Sequence, residues 1–336
     1  NLERFFHQEK EQYDVIYTHY WLSGLAGEWL KYRFGSPLIH TYHTLAFLKK
    51  LASKEDEHRC RTRSEEHLAF ASDAIISSSI EEKASLIKEY GIPESKVEVI
   101  YPGVNPKLFY PFQNKEVMQE TGCKEDDRLL LYVGRINPIK GLMTIVQAFE
   151  LLRDRNNLLY DRLKLIIVGG GMKGVDFSKN SEFIRIRAAI EEKELVNKFI
   201  FLGSKEQKEL KRYYSAADAL IVPSLYESFG LVVVESLACG TPVVVSRIGK
   251  MKTIVKEGKN GFSFYPNKPY SLANSLEHFY SHKQRLWETE KIRQDILRHF
   301  SWKKTAKQTF RVLDDLRKRD NYLTTKFQPC ENLQQV

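Results

Sequence analysis

The chain has 336 residues, 42% hydrophobic and 28% charged, which is room for two globular domains. No apolar run approaches the roughly eighteen residues of a membrane-spanning helix, and the opening residues do not read as a signal peptide. The net charge of +9 comes with no nucleic-acid motif and no alternation of basic and aromatic residues. Nucleic acid is therefore a weak reading, and a bland basic surface, anionic lipid headgroups or phosphorylated substrates remain. The four cysteines, Cys60, Cys123, Cys239 and Cys330, are scattered without a C-x-x-C spacing. This argues against a disulfide framework and a zinc site, and fits a reducing cytoplasm.

In chain order, strand-length apolar segments alternate with helix-length ones, which predicts parallel sheets with helices on both faces. The first part offers strands at Asp14–Thr18, Leu38–Thr41, Ala74–Ser77 and Val97–Ile100. Its helices are expected at Ser23–Phe34, Asp56–Ala71 and Glu81–Tyr90. Pro102-Gly103 and Pro106–Pro111 break the pattern, and the domain boundary is placed near residue 115. The second part offers Leu129–Gly134, Leu163–Val168, Phe199–Leu202, Ala219–Val222, Pro242–Ser246 and Gly261–Phe264, a complete doubly wound domain over 116–300. Trp302–Arg319 is an amphipathic helix, with Trp302, Ala306, Phe310 and Leu313 at helical spacing. Residues 322–336 are polar and are expected to form a mobile tail.

The stretch Asp218–Pro242 holds most of the chemistry. It reads as a strand, a loop over Pro223–Ser228 and a helix over Phe229–Cys239, closed by Gly240 and Pro242. The helix N-terminus then lies beside the C-terminal end of a strand, where open α/β sheets bind ligands. Its unpaired amides near Ser228, Phe229, Gly230 and Leu231 suit a phosphate. Glu227 and Glu235 are separated by seven residues. A helical rise puts them roughly 12 Å apart, about the reach of one extended nucleotide-sugar. Each carboxylate can accept two hydrogen bonds from a vicinal diol, so a ribose and a hexose would use both. The alternative is a solvated Glu227 and a Glu235 paired with a buried arginine. The loop Gly134–Gly141 also follows a strand, and its Arg135 and Lys140 can converge on a diphosphate leaving group without a metal. Gly169-Gly170-Gly171 follows another strand and allows close approach of a ligand to backbone, although a glycine run is more often a simple turn.

The run E-S-F-G-L-V-V-V-E followed by A-C-G-T-P-V-V resembles the signature of retaining glycosyltransferases of family 4, which have the two-domain GT-B fold. The resemblance implies two doubly wound Rossmann-like α/β domains facing a cleft. Residues 1–115 would be the acceptor-side domain, and the helix 301–321 would cross back to pack on it. Asn1 is not an initiator methionine, and the opening strands and Gly-rich loop of such a domain are expected to be missing. The stretches Thr18–Gly24 and His40–Leu45 are most similar to the subgroup of sucrose-phosphate synthases, mannosylfructose-phosphate synthases and inositol-phosphate N-acetylglucosaminyltransferases. The likeness puts His43 beside the reacting sugar and assigns Tyr20, Thr44 and Arg61 to an acceptor phosphate. Arg59 and Arg63 flank Arg61, and a solvated helix start is the alternative for all three. It also gives Arg135 and Lys140 to the diphosphate, Glu235 to the ribose and Glu227 to the transferred sugar. Gly203 would lie against the nucleobase through backbone.

One departure stands out. Where the family has Gly-Gly and then Glu, this chain has Gly249-Lys250 and Thr253. The expected function is transfer of a hexosyl unit from a nucleoside-diphosphate sugar, with UDP as first choice, to a hydroxyl acceptor such as a sugar phosphate or inositol phosphate. No cofactor or metal is expected. The alternatives are a membrane-face enzyme for lipid-linked or polymeric glycans, with peripheral membrane contact, and a non-catalytic nucleotide-sugar-binding protein.

Overall fold

The computed structural model describes residues 13–53, 57–112, 116–170, 179–282 and 288–326, with side chains undescribed at 53, 282 and 319–326. Gly171, Lys115, Cys330 and the segment 327–336 lie outside the described residues. The chain divides into two compact units. One comprises Asn1–Lys50, Asp56–Tyr101 and Lys303–Val336, and the other Leu51–Glu55 and Pro102–Trp302.

The sheet of the first unit is wholly parallel, in the order β1 (Ile16–His19), β2 (Leu38–Thr41), β3 (Ala74–Ser77), β4 (Val97–Val99). Parallel strands need crossovers, and helices over Tyr20–Phe34, Arg59–Ala71 and Ile80–Tyr90 supply them. On one face Tyr42, Leu68, Ile75 and Leu86 form a buried cluster. On the other, Ile39, Ala74, Ile76 and Ile100 are covered by Val312, Leu313 and Leu316 of the last helix, Trp302–Lys326. The face of this sheet is thus closed by residues more than two hundred positions away in sequence.

Several expected boundaries shift, each for a local reason. The first helix starts at Tyr20 rather than Ser23. Ser23 does not cap it from outside: its hydroxyl sits in the first turn, receives the amide of His19 at 3.0 Å and donates back to the Tyr20 carbonyl. The expected helix Asp56–Ala71 begins at Arg59, and a further short helix, Ala46–Ser53, precedes it. Ser79 caps Ile80–Tyr90 by accepting from the Glu82 amide at 3.1 Å.

The second unit has a six-stranded parallel sheet. Its strands in chain order are β5 (Arg128–Val133), β6 (Leu163–Val168), β7 (Phe199–Gly203), β8 (Ala219–Val222), β9 (Val243–Ser246) and β10 (Gly261–Phe264). In space they run β10-β9-β8-β5-β6-β7. The chain builds outward from β5 to β7, then returns to lay β8 on the free side of β5, with Leu130 opposite Ala219 and Leu131 opposite Leu220. The β5/β8 junction is therefore the topological switch point, where the loops leaving adjacent strands part and open a crevice at their C-terminal ends. Below it, Leu130, Leu165, Ile167, Ala219 and Ile221 pack against Ile145, Phe149, Leu272 and Leu276 of two covering helices. No helix among the described residues is long and apolar enough to cross a membrane.

Candidate functional site

A cavity of about 190 Å³ opens at that switch point. The end of β5 and its loop contribute Tyr132, Gly134, Arg135 and Lys140, and β8 and its loop contribute Val222, Ser224 and Glu227. Two turns shape it. Gly141 has φ +70°, and a Cβ there would lie 2.0 Å from the Pro223 carbonyl oxygen, so only glycine lets the two loops touch. The Leu225 amide donates to the Ile139 carbonyl at 2.8 Å, which fixes them together. Lys140 and Glu227 meet as a result, with Nζ 2.6 Å from Oε2 and both side chains about one-fifth exposed. Arg135 is exposed at the rim. The hydroxyl of buried Tyr132 donates to the Arg135 carbonyl at 2.8 Å, and burial, with the charges of Glu227 and Glu182, holds its pKa well above the usual tyrosine range.

The helix expected over Phe229–Cys239 runs from Leu231 to Ala238, because Gly230 takes φ +93° and cannot continue a right-handed helix. Its first residues, Leu231 and Val232, line the cavity, so its unpaired amides lie at the cavity edge. Ser228 and Phe229 are buried; Ser228 bonds Tyr226 at 3.0 Å, and Phe229 packs edge-on against Phe300. Gly170 is buried after β6, and Gly203 ends β7 with open space where a Cβ would stand. None of Ser228, Phe229, Gly230, Gly170, Gly203 or Glu235 is among the cavity's lining residues.

Glu235 is 7% exposed, and its described partners include no arginine. Tyr214 donates to its Oε2 at 2.9 Å and Gln207 to its Oε1 at 3.4 Å. Burial raises its pKa against the opposing pull of these two bonds. Gly249 (φ +43°) passes so close to the Glu227 carbonyl that a Cβ would stand 2.7 Å from that oxygen. The departing residues lie just beyond it. Lys250 precedes the short helix Met251–Ile254 with its ammonium 6.0 Å from the Phe300 ring, and Thr253 donates to the Lys250 carbonyl. Neither residue lines the cavity.

In the first unit the strand ends bring a second group together. Among the described residues four besides glycine have positive φ, and two of them are Tyr20 (+71°), directly after β1, and His43 (+62°), two residues after β2. Such backbone is costly for a bulky residue and collects where a side chain must be aimed. His43 Nε2 lies 3.0 Å from Nδ1 of His19, with the rings stacked 5.1 Å apart. Partial burial lowers both pKa values. His40, fully buried behind them, is lowered to about 3, first by burial and then by the two neighbouring imidazoles. Each of these shifts favours the uncharged ring.

Arg61 is 6% exposed, while Arg59 and Arg63 are exposed, so the structure singles out the middle arginine. Its Nε donates to Glu65 at 2.6 Å, Nη1 to Glu57 at 2.9 Å, and Nη2 to the hydroxyl of Thr44 at 2.9 Å. The Tyr20 ring lies 5.2 Å from the guanidinium. Tyr20, Thr44 and Arg61 thus converge within one unit. Burial works against the charge of Arg61, but the bond and charge of Glu65, with Tyr20 and Glu57, hold its pKa above the ordinary value. His19, Glu57, Glu65, Tyr214 and Gln207 are not singled out by the sequence. The first ends a strand, and Glu57 and Glu65 flank Arg61 at helical i±4 spacing, a readable signal; Tyr214 and Gln207 left none.

Residues 113–295 match the family described as Glycosyl transferases group 1, and residues 1–108 match Glycosyltransferase Family 4. The chain is 37% identical over 267 residues to the D-inositol 3-phosphate glycosyltransferase of Thermobifida fusca, covering 79% of this chain and 61% of that protein. It is 35% identical over 274 residues to the protein of the same name from Streptosporangium roseum, covering 81% and 62%. It thus spans somewhat less than two thirds of the length of these relatives. Among solved structures, sucrose-phosphate synthase from Thermosynechococcus elongatus superposes with a TM-score of 0.81 at 29% identity, over 95% of this chain and 77% of that one. Anabaena Alr3699/HepE, solved with UDP, shares the fold at a TM-score of 0.77 and 22% identity, over 94% and 81%. The two parallel-sheet α/β domains are those of a GT-B glycosyltransferase, and the chain belongs to the Glycosyl transferases group 1 family.

Proposed function

We propose that this protein transfers a hexosyl unit, with retention of configuration, from a nucleoside-diphosphate sugar to a hydroxyl of a phosphate-bearing acceptor, an inositol phosphate or a sugar phosphate. The observation that carries the proposal is the cavity at the β5/β8 switch point, where Arg135, Lys140 and the amides opening Leu231–Ala238 surround one small space with Glu227. Two cations and a helix N-terminus are what a departing diphosphate requires, and they supply its positive charge without a metal or cofactor. In this scheme Lys140 turns from Glu227 to the diphosphate, and Glu227 accepts hydrogen bonds from the sugar. Glu235 holds the ribose, and His43, oriented by His19, bonds the transferred sugar. The bond from the anomeric carbon to the phosphate oxygen breaks as the acceptor oxygen attacks from the same face, and the leaving oxygen takes the acceptor's proton. The names of the relatives and the cluster of Arg61, Thr44 and Tyr20 support the phosphate on the acceptor. UDP is the proposed nucleotide.

The test is a thermal-shift titration of the chain with UDP, GDP and ADP, beside Lys140→Ala. Stabilisation by UDP that disappears in Lys140→Ala is the expected result, followed by UDP release from a UDP-sugar when inositol 3-phosphate, but not inositol, is added. If no nucleotide stabilises the chain, the donor assignment of this cavity is wrong.

A further inference from the structure

Arg61 is already fully engaged before any acceptor arrives. Its three nitrogens face three different partners, Glu65, Glu57 and Thr44. The two carboxylates are not equivalent. Glu65 is fully buried and locked at both oxygens, one by Nε of Arg61 at 2.6 Å and the other by the Ala46 amide at 2.7 Å. Removing it would leave the buried Ala46 amide and Nε of Arg61 without their partner, with Glu57 as the only carboxylate among the described residues left on the guanidinium. The Glu57 side chain is 20% exposed. One of its oxygens meets Nη1 of Arg61 at 2.9 Å, and the other pairs with the ammonium of Lys49. If Glu57 gave up Arg61 it would keep a counter-ion. The Tyr20 ring covers the guanidinium and Thr44 holds Nη2. The Nη1 side is therefore where an incoming anion can exchange partners.

We propose that Glu57 is a resident counter-ion at the acceptor-phosphate site: the phosphate displaces it from Nη1 of Arg61, while Glu65 stays as the fixed anchor. The proposal rests on the assignment of Arg61 to the acceptor phosphate, and it adds a selectivity device to that assignment. With Glu57 in place, Arg61, Lys49, Glu57 and Glu65 sum to zero formal charge. A weakly basic monoanion gains little by displacing a carboxylate from an arginine. A phosphate monoester, carrying about −1.5 to −2 charges and three acceptor oxygens, gains enough to do so. Glu57 thus makes the site discriminate by charge as well as by shape. It is a positioning residue, acting through Arg61.

The experiment titrates inorganic phosphate, and separately acetate, into the full chain by calorimetry. The proteins are the wild type, Glu57→Gln, Glu57→Asp, and the double variant Arg61→Gln/Glu65→Gln, which removes both charges together and leaves no buried carboxylate unpaired. The expected result is phosphate binding about three- to tenfold tighter in Glu57→Gln, in line with loss of one partly exposed charged partner. Acetate should become detectable in the same variant, and Glu57→Asp should return towards the wild type. A purely structural Glu57 would not tighten binding on removal. Equal or weaker phosphate binding in Glu57→Gln overturns the counter-ion role, provided the double variant has lost the signal. If the double variant binds phosphate as well as the wild type, or none of the proteins binds it, the assignment of Arg61 itself fails and the counter-ion role falls with it.

Discussion

Replacing Gly141 by alanine tests whether the contact between the Lys140 and Glu227 loops is what builds the donor cavity. The added Cβ would lie 2.0 Å from the Pro223 carbonyl oxygen and 2.9 Å from its carbon. Even a tight contact needs about 3.0 Å, so the Pro223 backbone must retreat by about 1 Å. The left-handed conformation at φ +70° costs an alanine about 1 kcal/mol. Displacing packed backbone adds about 1–3 kcal/mol. The total of about 2–4 kcal/mol lowers the melting temperature of a unit of roughly 200 residues by about 4–16 °C. Gly258→Ala is the matched control, since Gly258 has φ +68° but nothing within 4 Å of where a Cβ would stand; it carries only the conformational cost, about 2–4 °C. Circular dichroism melts of the two variants decide the matter. Equal losses would mean that the loops yield without resistance, and that their contact does not hold Lys140 against Glu227.

Two further outcomes follow from buried groups. Tyr214→Phe leaves Glu235 with the 3.4 Å bond from Gln207 and should cost about 1.5–3 kcal/mol in urea unfolding, the range for a hydrogen bond to a charged group; a loss under about 0.5 kcal/mol would mean that Glu235 is satisfied elsewhere. Glu82 is fully buried, and burial raises its pKa above 4.5 despite bonds from Ser77 and Ser78. A raised folded pKa stabilises the protein fully below about pH 4.5, and that contribution is lost as pH rises through the folded value. Glu82→Gln lacks this slope, so its stability relative to the wild type should climb with pH at up to about 1.4 kcal/mol per unit from pH 4.5 upward. Parallel stability curves between pH 4 and 8 would exclude the titration.

The strands were legible because buried parallel strands are short apolar runs bounded by glycine, proline or charge, and Ala74–Ser77, Leu163–Val168, Ala219–Val222 and Gly261–Phe264 fall where the sequence places them. Ala46–Ser53 was not, since its eight residues make only about two turns and follow directly on the loop after β2. Lys140 in the loop G-R-I-N-P-I-K-G and Glu227 before S-F-G-L could each be picked out because each belongs to a local motif, but the ion pair that joins them across 87 residues could not. The surroundings of Glu235 could not: Tyr214 and Gln207 are 21 and 28 residues away, and only the packing of the helix Leu210–Ala216 against Leu231–Ala238 brings these segments together. Three arginines at alternate positions look alike in sequence. Burial separates Arg61 from its neighbours, and the carboxylates at i±4 are the trace of that burial.

The last helix has a consequence for synthesis. Ile39, Ala74, Ile76 and Ile100 are translated early, whereas Val312, Leu313 and Leu316, which cover them, come after the whole second unit. At ~5–20 residues per second, the roughly 200 intervening residues take about 10–40 s to emerge. Throughout that interval the nascent chain carries an open apolar sheet face, and the second unit can fold on the ribosome before the first is sealed. Assembly order is thus the reverse of sequence order: the unit begun first is finished last.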